Sequence, residues 1–107
     1  MTKDNIFTIP DSLPIEFELF QPIISNDNIL IERIISSGQS TPAGQWLEDD
    51  RNEWVVLLQG ESEISFEDRI NRTLNAGDHI FIEKNKKHRV VRTSENPLCI
   101  WLAVYYE

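Results

Sequence analysis

Two side chains of this 107-residue chain are of types, and in settings, that could do chemistry: Glu53 and His88. Each opens an apolar, strand-like run, EWVVLLQ for the first and HRVVRT for the second. Each is also tied to a glycine at a fixed distance. Glu53 precedes Gly60 by seven residues, and Gly77 precedes His88 by eleven. A carboxylate and an imidazole brought together can exchange protons, hydrogen-bond a small molecule or share a divalent metal. Strand alternation puts Glu53 on the face of Val55 and Leu57, and His88 on the face of Val90 and Arg92.

The elements that must position this pair read as strands. Short apolar runs recur between turn residues, with almost no helical periodicity, which is the pattern of an all-β sandwich or barrel. Strands are predicted over 15–20, 29–36, 53–59, 61–68, 69–75, 79–83, 88–93 and 98–106, after an N-terminal extension over 1–14. The run 61–68 alternates Ser62, Ile64 and Phe66 against Glu61, Glu63, Ser65 and Glu67, giving one core face and one wet face. Eight or nine strands in one domain of this length fit a double-stranded β-helix, or jelly-roll barrel. An ordinary β-sandwich is the competing architecture. The last run is apolar on both faces, with Trp101 and Tyr105 opposite Ile100 and Leu102. Either both sheets cover this strand, or its outer side meets a second subunit; an uncovered Trp101 and Tyr105 would form an exposed apolar patch, which favours a homodimer.

These spacings resemble the paired motifs of the cupin family of small β-barrels, over roughly residues 38–105. In the second motif Gly77 and Asp78 match the opening turn and His88 matches the motif histidine. Glu83, Asn85 and Arg92 stand where the family has proline, glycine and asparagine. Asn85 is the mildest of these departures, because asparagine is the residue next best able to take positive φ. In the first motif Glu53 and Gly60 match, but the His-x-His pair falls on Trp46 and Glu48, or on Leu47 and Asp49 with a shorter spacer. The segment looks like that of small one-domain cupins whose first motif reads Gly-x-Trp-x-acid.

In the family the motif glutamate and histidine point into the barrel and help to hold a divalent metal. Carried to this chain, the resemblance implies Glu53 and His88 as ligands, with Glu48 (or Asp49) completing a one-histidine, two-carboxylate set. Such a set is chemically adequate for Zn, Mn, Fe or Ni, and would serve an isomerase or dioxygenase chemistry. The competing reading has no metal, with a neutral His88 satisfying a buried polar spot. The missing histidine pair favours a barrel that binds a small molecule, with Glu53 and His88 as hydrogen-bond partners. A third reading is a structural barrel with a filled pocket.

Three further residues are candidates for ligand contact. Arg33 alternates with Ile31 and Ile35, and on an inner face it would clamp a carboxylate or phosphate, or pair with Glu53. Gln45 and Trp46 could line the barrel mouth as a hydrogen-bond and stacking platform. His79 reads as a partly exposed structural histidine. The acidic turn around Asp49, Asp50 and Arg51 lacks the alternating acids and central glycine of a calcium loop.

Composition excludes other classes. The net charge is −8, with 18 acids against 10 bases, which argues against nucleic acid as a partner. No apolar run approaches the roughly 20 residues of a membrane-spanning helix, so no membrane partner is expected. The first residues lack the unbroken apolar core of a secretory signal. Cys99, the only cysteine, reads as a small buried hydrophobe in a reducing, cytoplasmic setting.

Overall fold

The computed structural model describes residues 3–107. Eight strands are present: β1 (Leu19–Ser25), β2 (Ile29–Ser36), β3 (Asn52–Gln59), β4 (Glu61–Phe66), β5 (Asn71–Asn75), β6 (His79–Ile82), β7 (His88–Thr93) and β8 (Cys99–Tyr106). They form two antiparallel sheets, a five-stranded one in the order β1-β2-β8-β3-β6 and a three-stranded one in the order β5-β4-β7. The described residues contain no helix long and apolar enough to cross a membrane.

The core lies between the sheets because each strand turns its apolar set inward. Ile34 of β2 pairs with Trp101 of β8, which pairs in turn with Leu57 of β3. Val55 and Ala103 form the next row. Ile64 and Leu74 close the core from the smaller sheet, and Cys99 is fully buried among them. Full burial of side chains of this size contributes about 1.5–3 kcal/mol each.

Turn chemistry sets where strands end. Gly60 joins β3 to β4 at φ +96°, a conformation that side chains rarely adopt. Asn85 takes φ 62° in the β6–β7 turn, the position at which the motif carries glycine.

Two expectations need correction. The strand predicted over 15–20 begins only at Leu19, and Ile15 is 89% exposed. The reason is register: Leu19 pairs with Ile35, so β2 has run out of partners before residue 18. The strand instead continues through Pro22, which an edge strand tolerates, with a bulge between Pro22 and Ile24. Second, Trp101 and Tyr105 turn into the barrel, so they form no outer patch. The outward residues of β8 are Ile100, Leu102 and Val104, of which Ile100 is fully buried and the other two half-buried.

Candidate functional site

A cavity of about 230 Å³ lies between the sheets. Glu53 and His88 both line it, the first from β3 of the large sheet and the second from β7 of the small one. Glu53 is 8% exposed and His88 7%. Around them stand Ile34, Val55, Ile64, Ile82 and Val90, with Trp101 and Tyr105 from β8. The charged groups of the lining are all acids: Glu18, Glu48, Asp49 and Glu53, with no lysine or arginine among them.

This surrounding sets the protonation of both central groups. Burial, and then the nearby Asp49 and Glu32 carboxylates, push the Glu53 carboxyl up to about 7, while the Tyr105 hydroxyl and the Arg51 guanidinium pull the other way. Burial also raises Glu32 and Glu18 above the usual carboxylate range. Asp49 goes the opposite way, held low by its ion pair with Arg51 at 3.0 Å. The Arg51 guanidinium also lies over the Tyr105 ring, 4.8 Å from its centre.

Burial lowers the His88 pKa, so the imidazole is neutral. Its Nδ1 meets the Lys86 carbonyl at 3.0 Å, and a carbonyl can only accept. Nδ1 therefore carries the proton, and Nε2 keeps its lone pair. The strand edge is fixed by a backbone pair with Leu47, whose N–H reaches the His88 carbonyl at 2.7 Å and whose carbonyl accepts from His88 N–H at 3.0 Å. A half-protonated carboxyl and a neutral imidazole in one pocket can donate to, accept from, or move a proton on a small polar molecule.

A second polar set was not foreseen. The Trp101 indole N–H donates to the Ser36 hydroxyl at 3.0 Å, and that hydroxyl donates to the Glu18 carboxylate. Glu18 lines the cavity from the segment before β1. The alternation of β2 was the one available signal, since Glu32, Ile34 and Ser36 share a face as regularly as Ile31, Arg33 and Ile35. Choosing between the two faces required the partner strands.

The inner face is the one carrying Glu32 and Ile34, so Arg33 points outward and does not reach the cavity. Its Nε donates to Gln21 Oε1 at 2.7 Å, and its Nη1 to the carbonyls of Ile6 at 3.0 Å and Thr8 at 2.6 Å. Arg33 thereby fastens the N-terminal segment to the sheet. Gln45 is exposed on the loop before β3 and does not line the cavity. Trp46 lies on the far side of that loop, against the outer face of the small sheet. His79 is exposed and accepts the Trp54 indole N–H at 3.1 Å.

The residues present do not fit a metal centre. Glu48 borders the cavity but is exposed, and Leu47 and Trp46 supply no donor at the positions of the family's histidine pair. Among the described residues, no three His, Cys, Asp or Glu side chains lie together so that they could hold a metal ion.

Comparison with known proteins agrees with this architecture. The family profile described as Cupin domain matches residues 34–105. A solved structure from Ralstonia eutropha JMP134, described as a "putative mannose-6-phosphate isomerase", is 33% identical, covers 100% of this chain and 99% of its own, and superposes with a TM-score of 0.89. A cupin superfamily protein from Desulfitobacterium hafniense DCB-2 is 19% identical, covers 87% and 81% of the two chains, and gives a TM-score of 0.72. An RmlC-like cupin from Methanocaldococcus jannaschii with a double-stranded β-helix fold is 11% identical over 99% and 93%, with a TM-score of 0.69. No curated protein matches the chain. On the profile match and the Ralstonia similarity, this chain belongs to the cupin family.

Proposed function

We propose that the barrel binds a small polar molecule that is uncharged or cationic, with Glu53 and His88 as its hydrogen-bond partners. The observation that carries this reading is that both groups, each more than nine-tenths buried, face one cavity and carry free hydrogen-bonding capacity there. The volume of about 230 Å³ is below the range of drug-sized sites, which limits the ligand to a compact one. An anion is disfavoured because every charge of the lining is negative.

The test is native mass spectrometry of untagged protein, followed by titration of unphosphorylated monosaccharides while the His88 ring resonances are observed. Saturable shifts that vanish in Glu53→Gln support the reading. No co-purifying molecule and no shift with any sugar would refute it. Because the donor groups do not converge, divalent metal below stoichiometric amounts is expected, with melting unchanged by chelator.

A second reading, an acid–base isomerase, is favoured by the Glu53 carboxyl near pKa 7, where a general base works best. The description of the Ralstonia relative points the same way, although the acidic lining does not suit a phosphorylated substrate. Exchange of an aldose C2 proton in deuterated water, abolished by Glu53→Gln, would distinguish isomerisation from binding alone.

We also propose a homodimer, formed through β1 rather than through Trp101 and Tyr105. Ile23 and Ile24 are exposed on β1, an edge strand of the large sheet. Unpaired apolar edges of this kind invite strand pairing. Light scattering of the wild type and of Ile24→Lys tests it, and a monomeric wild type would end it.

A further inference from the structure

We infer that the groove on the outer face of the three-stranded sheet is a second binding site, for an organic oxyanion with a flat body, held by Arg69 and Arg89 and stacked on Trp46. The groove has a volume of about 350 Å³ and lies outside the barrel. Its floor is one cross-strand row, in which Ser65 of β4 pairs with Asn71 of β5 on one side and Arg89 of β7 on the other. Arg69 stands at the end of this row in the β4–β5 turn, at φ 63°. Trp46 forms the wall. The backbone pair between Leu47 and His88 sends Leu47 toward the cavity, so the preceding residue faces the outer groove.

Charge makes this groove an exception on a chain of net charge −8. Its lining contains two guanidinium groups and no acid. Among the described residues, every ion pair involves Arg51, Arg72 or Arg92, and neither Arg69 nor Arg89 has a carboxylate partner. Arg89 is further distinguished. Its Nη2 donates to the Thr41 carbonyl at 3.0 Å, which fixes the side chain, while its Nε is buried without any hydrogen-bond partner. Buried donors are almost always matched, and an unmatched one on a guanidinium calls for an acceptor of complementary charge. A carboxylate or phosphate group supplies planar or clustered oxygens for such a fork. Ser65, itself buried, and Asn71 add polar groups beside it. The half-buried indole of Trp46 offers a face on which an unsaturated ring or chain can stack.

This inference does not depend on the barrel cavity, whose lining is acidic and faces the other way. The full chain, labelled with nitrogen-15, is titrated separately with benzoate, phenyl phosphate, acetate and inorganic phosphate. The Arg89 Nε–H and Trp46 Nε1–H resonances are observed. Benzoate or phenyl phosphate is expected to saturate at millimolar concentration or below and to move both resonances. The one that binds more tightly identifies carboxylate or phosphate as the head group. Acetate and inorganic phosphate are expected to bind more weakly, having no body to stack. Arg89→Gln is expected to weaken the flat probes by about tenfold or more, the loss of a charged hydrogen bond. Arg69→Gly, which suits the positive φ, gives a second variant whose folding is not in question. Arg72→Gln, the same change of charge on β5 but outside the lining of the groove, is expected to leave affinity unaltered. The inference is overturned if neither flat probe moves the Arg89 Nε–H, if acetate binds as well as benzoate, or if all three variants behave alike.

Discussion

Glu53 and Tyr105 stand directly opposite each other on β3 and β8, and both side chains turn into the barrel. Their pairing sets a carboxyl and a phenol side by side where neither is free to ionise at its ordinary pH. Burial is the first cause for each. It raises Glu53 to about 7, and it drives Tyr105 upward with help from the Glu53, Glu32 and Asp49 charges. The arrangement has consequences for stability as well as for the site.

Glu53 makes the fold more stable in acid. Its folded pKa lies above the unfolded one, so the native state binds more protons between pH 4.5 and 7. Stability contributed by the protonated form is fully present below about pH 4.5 and declines as pH rises through 7. The shift corresponds to about 3 kcal/mol at pH 8, an order-of-magnitude figure. Urea denaturation of Glu53→Gln is expected to show a gain over wild type at about pH 8 that disappears at about pH 4.5. An equal difference at both pH values would contradict the assignment.

The His88 ring should be neutral with its proton on Nδ1 at pH 7, because burial lowers its pKa and the Lys86 carbonyl fixes the tautomer. Long-range proton–nitrogen correlation spectra are expected to show this tautomer, with protonation only below the usual histidine range. An Nε2–H ring at neutral pH would remove the acceptor that the proposed ligand needs.

Ser36 connects the core to the cavity wall by accepting from Trp101 and donating to Glu18. Ser36→Ala leaves a buried indole N–H without a partner, which costs about 1–3 kcal/mol. The same change removes the hydrogen bond that opposes the rise of the Glu18 pKa, so that pKa should climb further. Denaturation midpoints test the first effect and carbon-13 titration of the Glu18 carboxyl tests the second.

Gly60 admits no side chain. A Cβ there would lie 2.8 Å from Cys99 Sγ and 2.9 Å from Cys99 Cα, on a backbone already at φ +96°. The Cys99 backbone cannot yield without breaking the register of β8. Gly60→Ala is expected to cost about 2–4 kcal/mol from strain and crowding combined. Gly44 also has positive φ, but a methyl group added there would meet nothing within 4 Å, so the same change should cost less. Parallel thermal melts of the two variants provide the check.

How much of this was legible differs from residue to residue. The strands from Ile29 to Ser36 and from His88 to Thr93 can be read to the residue, because turn formers and alternation agree at both ends. That Glu53 and His88 face inward was legible only from the cupin motif positions they match, because Trp54, Val56 and Leu58 make the other face of β3 apolar too and each face of β7 carries one valine. Arg33 was not, because both faces of its strand alternate equally well and the choice depends on which partner residues lie across β8. Trp46 was misplaced for a related reason. Its motif position says that a ligand belongs there in the family, but a single backbone pair, Leu47 with His88, decides which side of the loop faces inward.

The order of residue types along the chain determined an all-β domain of eight or nine strands, and its resemblance to the cupin motifs implied a barrel with a carboxylate and an imidazole inside it. Local alternation and turn propensity are properties of neighbouring residues, and they are therefore written in the sequence. Tertiary structure alone decided the rest: the acidity of the cavity, the raised pKa of Glu53 beside a neutral His88, and the basic groove outside it. Those depend on charges and burial contributed by residues far apart in the chain, and electrostatic energies follow distance in space.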